Sequence, residues 1–238
     1  MLVPIGLHGN SQNHSKWIIG IDEAGRGSLV GELMVCSYAT KKGDISKLLD
    51  IGVRDSKQLT PFARQKLYYK LIEIGLFSVY AIKPKDLDKK NINLLEEKAT
   101  LANIKNLLKL IGGVNYVEEI IIDKFGELRF LKKILSELGF KGRLVVEEKA
   151  DSRYAIVSAA SIIAKVIRDR RVEVLKKIYG IKGSGYPSDP ETVESVLSLL
   201  EKGNMPDIIR YSWATLQGTK FYKKKRKSLS KSLDEFIK

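Results

Sequence analysis

Histidine is nearly missing from this chain: His8 and His14 are the only two in 238 residues. Both stand near the start, so histidine-based acid–base catalysis and zinc binding have almost no material. Cysteine is scarcer still. Cys36 is the only one, which excludes an intramolecular disulfide and favours a reducing, cytoplasmic setting. No apolar run is long enough to span a bilayer, and no membrane association is expected. The richest apolar segment, residues 155–167, is interrupted by Ser158, Ser161 and Lys165. The first residues lack the charged-then-apolar pattern of a secretory signal. Any metal site in such a chain has to be built from carboxylates.

What the chain has in excess is positive charge. A net charge of +14 and a pI near 9.6 point to a polyanionic partner. Hydrophobic residues make up 44% and charged residues 29%, enough apolar material for a sizeable core. Within it, residues 17–27 read Trp-Ile-Ile-Gly-Ile-Asp-Glu-Ala-Gly-Arg-Gly. An apolar strand ends there in two adjacent acids, followed by a small-residue turn with one cation. Neighbouring residues on a strand point to opposite faces, so Asp22 and Glu23 can share a site only where the strand ends.

Further along, residues 29–40 read as a second strand antiparallel to the first. Thr60 and Pro61 mark a helix start, running to about Ile74 and stopped by Gly75. Leu76 to Ile82 is expected as a third strand, and a longer helix follows, capped near Asn91 or Asn93. Its apolar stripe is Leu94, Leu95, Leu101, Ile104, Leu107 and Leu108. Gly112 and Gly113 end it. Val117 to Asp123 reads as a strand buried on both faces, residues 127–138 as a helix, and residues 144–146 as a short strand. Asp151 then opens a long helix to Tyr179. A glycine-rich loop, residues 183–190, leads into a helix through about Leu200, and residues 208–218 are expected to add another. The fold class is α/β, a mixed five-stranded sheet flanked by helices with a C-terminal helical extension. The expected divisions are an arm over 1–16, a catalytic domain over 17–180, a helical substrate-binding region over 181–219 and a basic tail over 220–238.

Asp22 with Glu23, Asp123, and Asp151 share one pattern: each stands at or just beyond the carboxyl end of an expected buried strand. Sites in open α/β sheets lie outside those ends. Taken singly, Asp151 also reads as a helix cap and Asp123 as a plain strand end. Taken together, close carboxylates repel unless cations stand between them, and all-oxygen ligation suits Mg²⁺ or Mn²⁺. Two such ions about 3.5–4 Å apart cleave phosphodiesters without a protein nucleophile.

These residues resemble the type 2 ribonucleases H, the ribonuclease HII family. Asp22-Glu23-Ala24-Gly25-Arg26-Gly27 is similar to its first motif, and Asp55-Ser56-Lys57-Gln58-Leu59 to its Asp-Ser-Lys-x-Leu block. Lys149-Ala150-Asp151, the helix over 158–169 and the loop Gly183-Ser184-Gly185-Tyr186-Pro187-Ser188-Asp189 follow in order, the loop resembling the archaeal and eukaryotic branch. The resemblance implies a ribonuclease H-like fold and cutting of RNA paired with DNA, including 5′ of single ribonucleotides in duplex DNA, leaving 3′-hydroxyl and 5′-phosphate ends. It implies that Asp22, Glu23, Asp123 and Asp151 hold two divalent ions. Gly25, Arg26 and Gly27 would sense the ribose 2′-hydroxyl and its phosphate, and Tyr186 would stack on the sugar of the following deoxynucleotide. Lys57, Lys165 and Arg168 would contact backbone phosphates. In the tail, residues 232–237 resemble the end of a sliding-clamp (PCNA) binding box through Leu233, Phe236 and Ile237. Ser230 stands where that box has glutamine, and Ile237 replaces an aromatic residue. The rival readings are type 3 ribonuclease H and a non-catalytic nucleic-acid-binding subunit. Arg26 between two glycines favours type 2.

Overall fold

Five strands form one mixed sheet in the order β3-β2-β1-β4-β5. They are β1 (Trp17–Ala24), β2 (Leu33–Lys41), β3 (Leu76–Ile82), β4 (Val117–Asp123) and β5 (Arg143–Glu147). The computed structural model describes residues 16–53, 59–217 and 219–220. β1 is central: it runs antiparallel to β2 and parallel to β4, and β4 runs parallel to β5. Strands with covered faces on both sides need apolar residues in both phases, which is why β1 and β4 carry isoleucine runs.

The two phases separate cleanly in the packing. Ile18 and Ile121 face a layer made by α6 (Ala155–Tyr179), with Leu67 and Leu71 of α2 (Pro61–Ile74) and Leu48 of α1 (Ile45–Asp50). Ile19, Ile21, Ile120 and Ile122 face the opposite layer, made by α4 (Ile92–Ile111) and α5 (Arg129–Glu137). Full burial of each such side chain contributes about 1.5–3 kcal/mol. The α6 layer lies unusually close to the sheet. A Cβ on Gly20 would stand 2.3 Å from the Ile156 carbonyl oxygen, so only glycine fits there. The alanine-rich first half of α6 allows that approach.

The expected element ends hold in several places for local reasons. Thr60 caps α2 by accepting from the Ala63 amide, with Pro61 as the first helical residue. Asn91 caps α4 through Leu94 N–H, and Gly112 ends it in the left-handed region, φ 98°. Asp189 caps α7 (Pro190–Glu201), accepting from Glu191 N–H. Two short helices were not anticipated, α1 and α3 (Pro84–Leu87). Strand β2 begins at Leu33 rather than at residue 29, because Leu29 and Val30 point their amides at the Gly185 carbonyl. α5 begins two residues late, after Leu128 in the left-handed region.

Two expectations need correction. The long helix does not open at Asp151: a 3₁₀ turn, Ala150–Ser152, intervenes, and Tyr154 precedes the first residue of α6. No helix forms over 208–217 either. That segment runs as turns, because Ile209 bridges Val30 and the Arg210 amide bonds the Leu29 carbonyl. The backbone partners of Ile208 and Arg210 lie in the loop between β1 and β2. A third core cluster, including Leu29, Val30, Val196, Leu200 and Tyr211, seals α7 and this segment onto that loop. Among the described residues no helix is long and apolar enough to cross a membrane.

Candidate metal and nucleic-acid site

β1 and β4 are parallel neighbours, so their carboxyl ends lie side by side. Ile21 pairs with Ile122, and the next residues on the two strands are Asp22 and Asp123. Both share the phase of Ile18 and Ile121 and face the α6 layer. Glu23 has the opposite phase and turns toward α4. β1 does not end at the two acids: it stays paired through Ala24, so Asp22 and Glu23 leave opposite faces of the strand near its end.

Asp123 ties in the fourth acid. Its Oδ1 accepts the Ala150 amide at 3.0 Å, which brings the 3₁₀ turn carrying Asp151 to the end of β4. Asp151 is buried, 6% exposed. Lys149, in the left-handed region at φ 57°, makes the bend that turns the chain there.

The electrostatics register crowding. Burial raises the Asp22 carboxyl well above its ordinary value, and the charges of Glu23 and Asp123 push in the same direction, while the Ser161 hydroxyl on α6 draws it down. Glu23 rises to about 7, first through burial and then through Glu96 on α4, with Arg26 opposing and Asp123 adding to the rise. Glu96 itself is fully buried and is also pushed up to about 7 by burial, against the pull of Arg26 and Arg210. As the side chains stand, no three acids among the described residues close on a single point as a finished ion cage. The donor set still fits a hard cation: oxygen donors alone and like-charged, with Asp22 and Asp151 buried and the Asp22 and Glu23 carboxyls raised for want of countercharge.

The glycine-arginine turn lies directly beyond Glu23. Gly25 is left-handed, φ 88°, and a Cβ there would meet the Glu32 carbonyl at 3.3 Å and Arg168 at 3.5 Å. Gly27 is exposed, and a Cβ there would meet nothing within 4 Å. The Ser28 amide closes the turn onto the Gly25 carbonyl at 3.2 Å. Arg26 sends Nη1 to the Glu96 carboxylate at 3.1 Å and Nη2 to Asn93 Oδ1. From the other side, Arg210 Nη1 donates to the Arg26 carbonyl at 2.9 Å and Nε to the Gly31 carbonyl at 3.1 Å. Arg210 is wholly buried, and burial with Arg168 nearby pushes its guanidinium down to about 9.

Tyr186 reaches the same neighbourhood through the 183–189 loop. The Arg168 guanidinium lies over its ring, 4.3 Å from the centroid. Arg168 is not the surface cation that a phosphate contact calls for. It is 5% exposed and bonds Ser28 Oγ at 2.9 Å and the Ser184 carbonyl at 3.2 Å. Position 168 falls on the face of α6 that looks back at the turn: its Nη2 joins that turn to the tyrosine loop, while Nη1 pairs with Asp169 at 3.1 Å. Lys165 is half-buried, one helical turn beyond Ser161, and its ammonium makes no ion pair or hydrogen bond among the described residues. Lys57 lies outside the described residues, as do Leu233, Phe236 and Ile237.

Glu96, Asn93, Ser161 and Arg210 were not anticipated as part of this site, Asn93 having read only as a candidate cap of α4. Glu96 had a faint signal. It lies four residues before Thr100 and eight before Ile104, on the inward side of α4, whereas Leu94 of the expected stripe is 42% exposed. An acid on an apolar face asks for a partner.

Comparison with known proteins places these features. The family profile described as Ribonuclease HII matches residues 19–216. A ribonuclease HII from Aeropyrum pernix is 45% identical over 222 residues, covering 92% of this chain and 98% of its own. The crystal structure of the ribonuclease H2 from Pyrococcus horikoshii superposes with a TM-score of 0.71 at 39% identity, covering 89% of this chain and 99% of that one. The structure of a PCNA:RNase HII complex from Archaeoglobus fulgidus gives a TM-score of 0.72 at 35% identity, covering 85% and 96%.

Proposed function

The chain belongs to the ribonuclease HII family, the metal-dependent type 2 ribonucleases H, and we propose that it cuts the RNA strand of RNA–DNA hybrids and incises duplex DNA 5′ of single embedded ribonucleotides. The observation that carries this reading is the meeting of Asp22, Glu23 and Asp123 at one end of β1 and β4, with the Gly25–Gly27 turn beside them. Asp22, Glu23, Asp123 and Asp151 would hold two divalent ions, Mg²⁺ or Mn²⁺. Bound there, such ions would activate water and stabilise the leaving oxygen, giving 3′-hydroxyl and 5′-phosphate ends.

The protein's own groups do the selecting. The exposed Gly27 and the left-handed Gly25 let a sugar–phosphate backbone come close to main-chain amides, and a 2′-hydroxyl is what separates ribose from deoxyribose at one site. Tyr186 stacks on the next sugar, where an added hydroxyl is disfavoured, and Arg168 holds its ring from behind. Lys165 and Lys57 contact phosphates, which set affinity and its salt dependence rather than selection. The polyanionic substrate accounts for the +14 charge. The Archaeoglobus fulgidus relative was solved in complex with PCNA, and in this chain the tail residues Leu233, Phe236 and Ile237 are the segment that would dock on such a ring.

The test is incision of a DNA duplex carrying one ribonucleotide, with Mg²⁺ and with chelator, mapping the cut and its end groups. Cutting only within longer RNA runs would favour a type 3 activity, and binding without cutting an inactive subunit. Tyr186→Ala is expected to slow the single-ribonucleotide substrate about tenfold, since stacking contacts are worth about 1–3 kcal/mol. The RNA–DNA hybrid should lose less than about threefold on the same scale. Equal losses on both would remove the stacking role.

A further inference from the structure

An acid in ion-pair contact with the sensing turn is one that the chemistry above does not use. Glu96 lies in the first two turns of α4, fully buried, with its carboxylate 3.1 Å from Arg26 Nη1. One turn earlier on the same helix face, Asn93 Oδ1 accepts from Arg26 Nη2. The Phe125 carbonyl, two residues past Asp123, receives a longer bond from Nη1 at 3.4 Å. Both terminal nitrogens of the guanidinium are therefore committed to α4 and to the chain leaving β4. They do not reach freely into the groove.

A buried carboxylate is costly unless a cation and hydrogen bonds meet it. Among the described residues, Arg26 is the cation that stands within ion-pair distance of Glu96. The planar guanidinium fork fixes direction as well as distance. Arg26 also has its carbonyl fixed by Arg210 from the opposite side. Between these two anchors the residue has little freedom, and Gly25 and Gly27, its flexible neighbours, inherit the constraint.

We propose that Glu96 is a positioning residue: by holding the Arg26 guanidinium on α4, it sets the course of the Gly25–Gly27 backbone and so the preference for a ribonucleotide. Asn93 is its accessory. This rests on the reading of the turn as the ribose sensor.

A double-mutant cycle tests it, using the full chain at pH 8 with Mg²⁺. Wild type, Glu96→Gln, Arg26→Ala and the double variant are compared on the single-ribonucleotide duplex and on the hybrid. Glu96→Gln should raise KM for the single-ribonucleotide duplex about tenfold, with kcat within about threefold, in line with coupling between residues in contact. Adding it to Arg26→Ala should cost nothing further. Asn93→Ala, at an exposed position, should raise the same KM about threefold and needs no change in the core. It keeps the question open to test if the buried substitution harms folding. Additive losses in the cycle would overturn the proposal. So would a shift in half-saturating Mg²⁺ with KM unchanged, which would make Glu96 a metal-facing acid. If Arg26→Ala leaves ribonucleotide preference intact, the sensor reading itself falls; if Arg26→Ala matters and Glu96→Gln and Asn93→Ala do not, only the positioning role falls.

Discussion

Asp22→Asn should reduce incision at least about 10³-fold, a loss of some 4 kcal/mol of transition-state stabilisation, while the protein melts at an unchanged or higher temperature. Asparagine keeps the shape and the oxygen that accepts the Glu23 amide at 2.7 Å, but it removes the charge. In the metal-free fold that charge is a burden, since burial and two neighbouring acids already force the carboxyl upward. Asp123→Asn should behave alike for a related reason: its amide oxygen still receives the Ala150 N–H, so the 3₁₀ turn stays docked. The combination of lost activity and preserved stability is what separates a metal ligand from a structural acid. Activity above about a tenth of wild type in either variant would take the role away from that residue, and a drop in melting temperature alongside the loss would assign it to the fold instead.

How far the residues announced this arrangement depends on the range of the interaction. The caps at Thr60 and Asn91 and the stops at Gly75 and Gly112 are local chemistry, and each is found where it was expected. Isoleucine in both phases of β1 and β4 said that the sheet is covered on both faces, and it is. The acids at strand ends were equally legible, because a carboxylate following a buried run is a local anomaly. What stayed hidden was contact at long sequence separation. Nothing near Arg210 in the chain says that its guanidinium will reach the Arg26 carbonyl, 184 residues away. The same range limit explains the missing helix over 208–217: the Ile208 carbonyl and the Arg210 amide are taken by Gly31 and Leu29, and the Tyr211 and Ser212 amides by Asp88, which leaves only turns. The burial of Arg168 was equally hidden, because a basic helix face reads as solvated, while the Gly185 loop, whose Cβ would stand 3.1 Å from its guanidinium, covers that face.

The same carboxylates should make stability depend on pH and metal together. Asp22, Glu23 and Glu96 hold their protons in the folded, metal-free protein to higher pH than in the unfolded chain, Glu23 and Glu96 to about 7. Between the ordinary carboxylate range, near pH 4, and about pH 7 the folded state therefore binds more protons than the unfolded one. Stability from these groups must fall as pH rises through that window. Asp189, held down to about 2 by the Ser184 amide and hydroxyl, acts with the opposite sign but only below that window. A divalent ion reverses the balance, because it favours the ionised acids; at pH 5 it must displace protons first, and at pH 8 it need not. The melting temperature in chelator should thus decline from pH 5 to pH 8. Saturating Mg²⁺ or Mn²⁺ near a hundred times its dissociation constant should raise it by roughly 5–10 °C at pH 8 and by clearly less at pH 5. An Asp22→Asn, Glu23→Gln double variant should lose most of both the slope and the metal response. A metal shift of the same size at both pH values, or a slope that persists in the double variant, would mean that the protons and the ions are not competing for these oxygens.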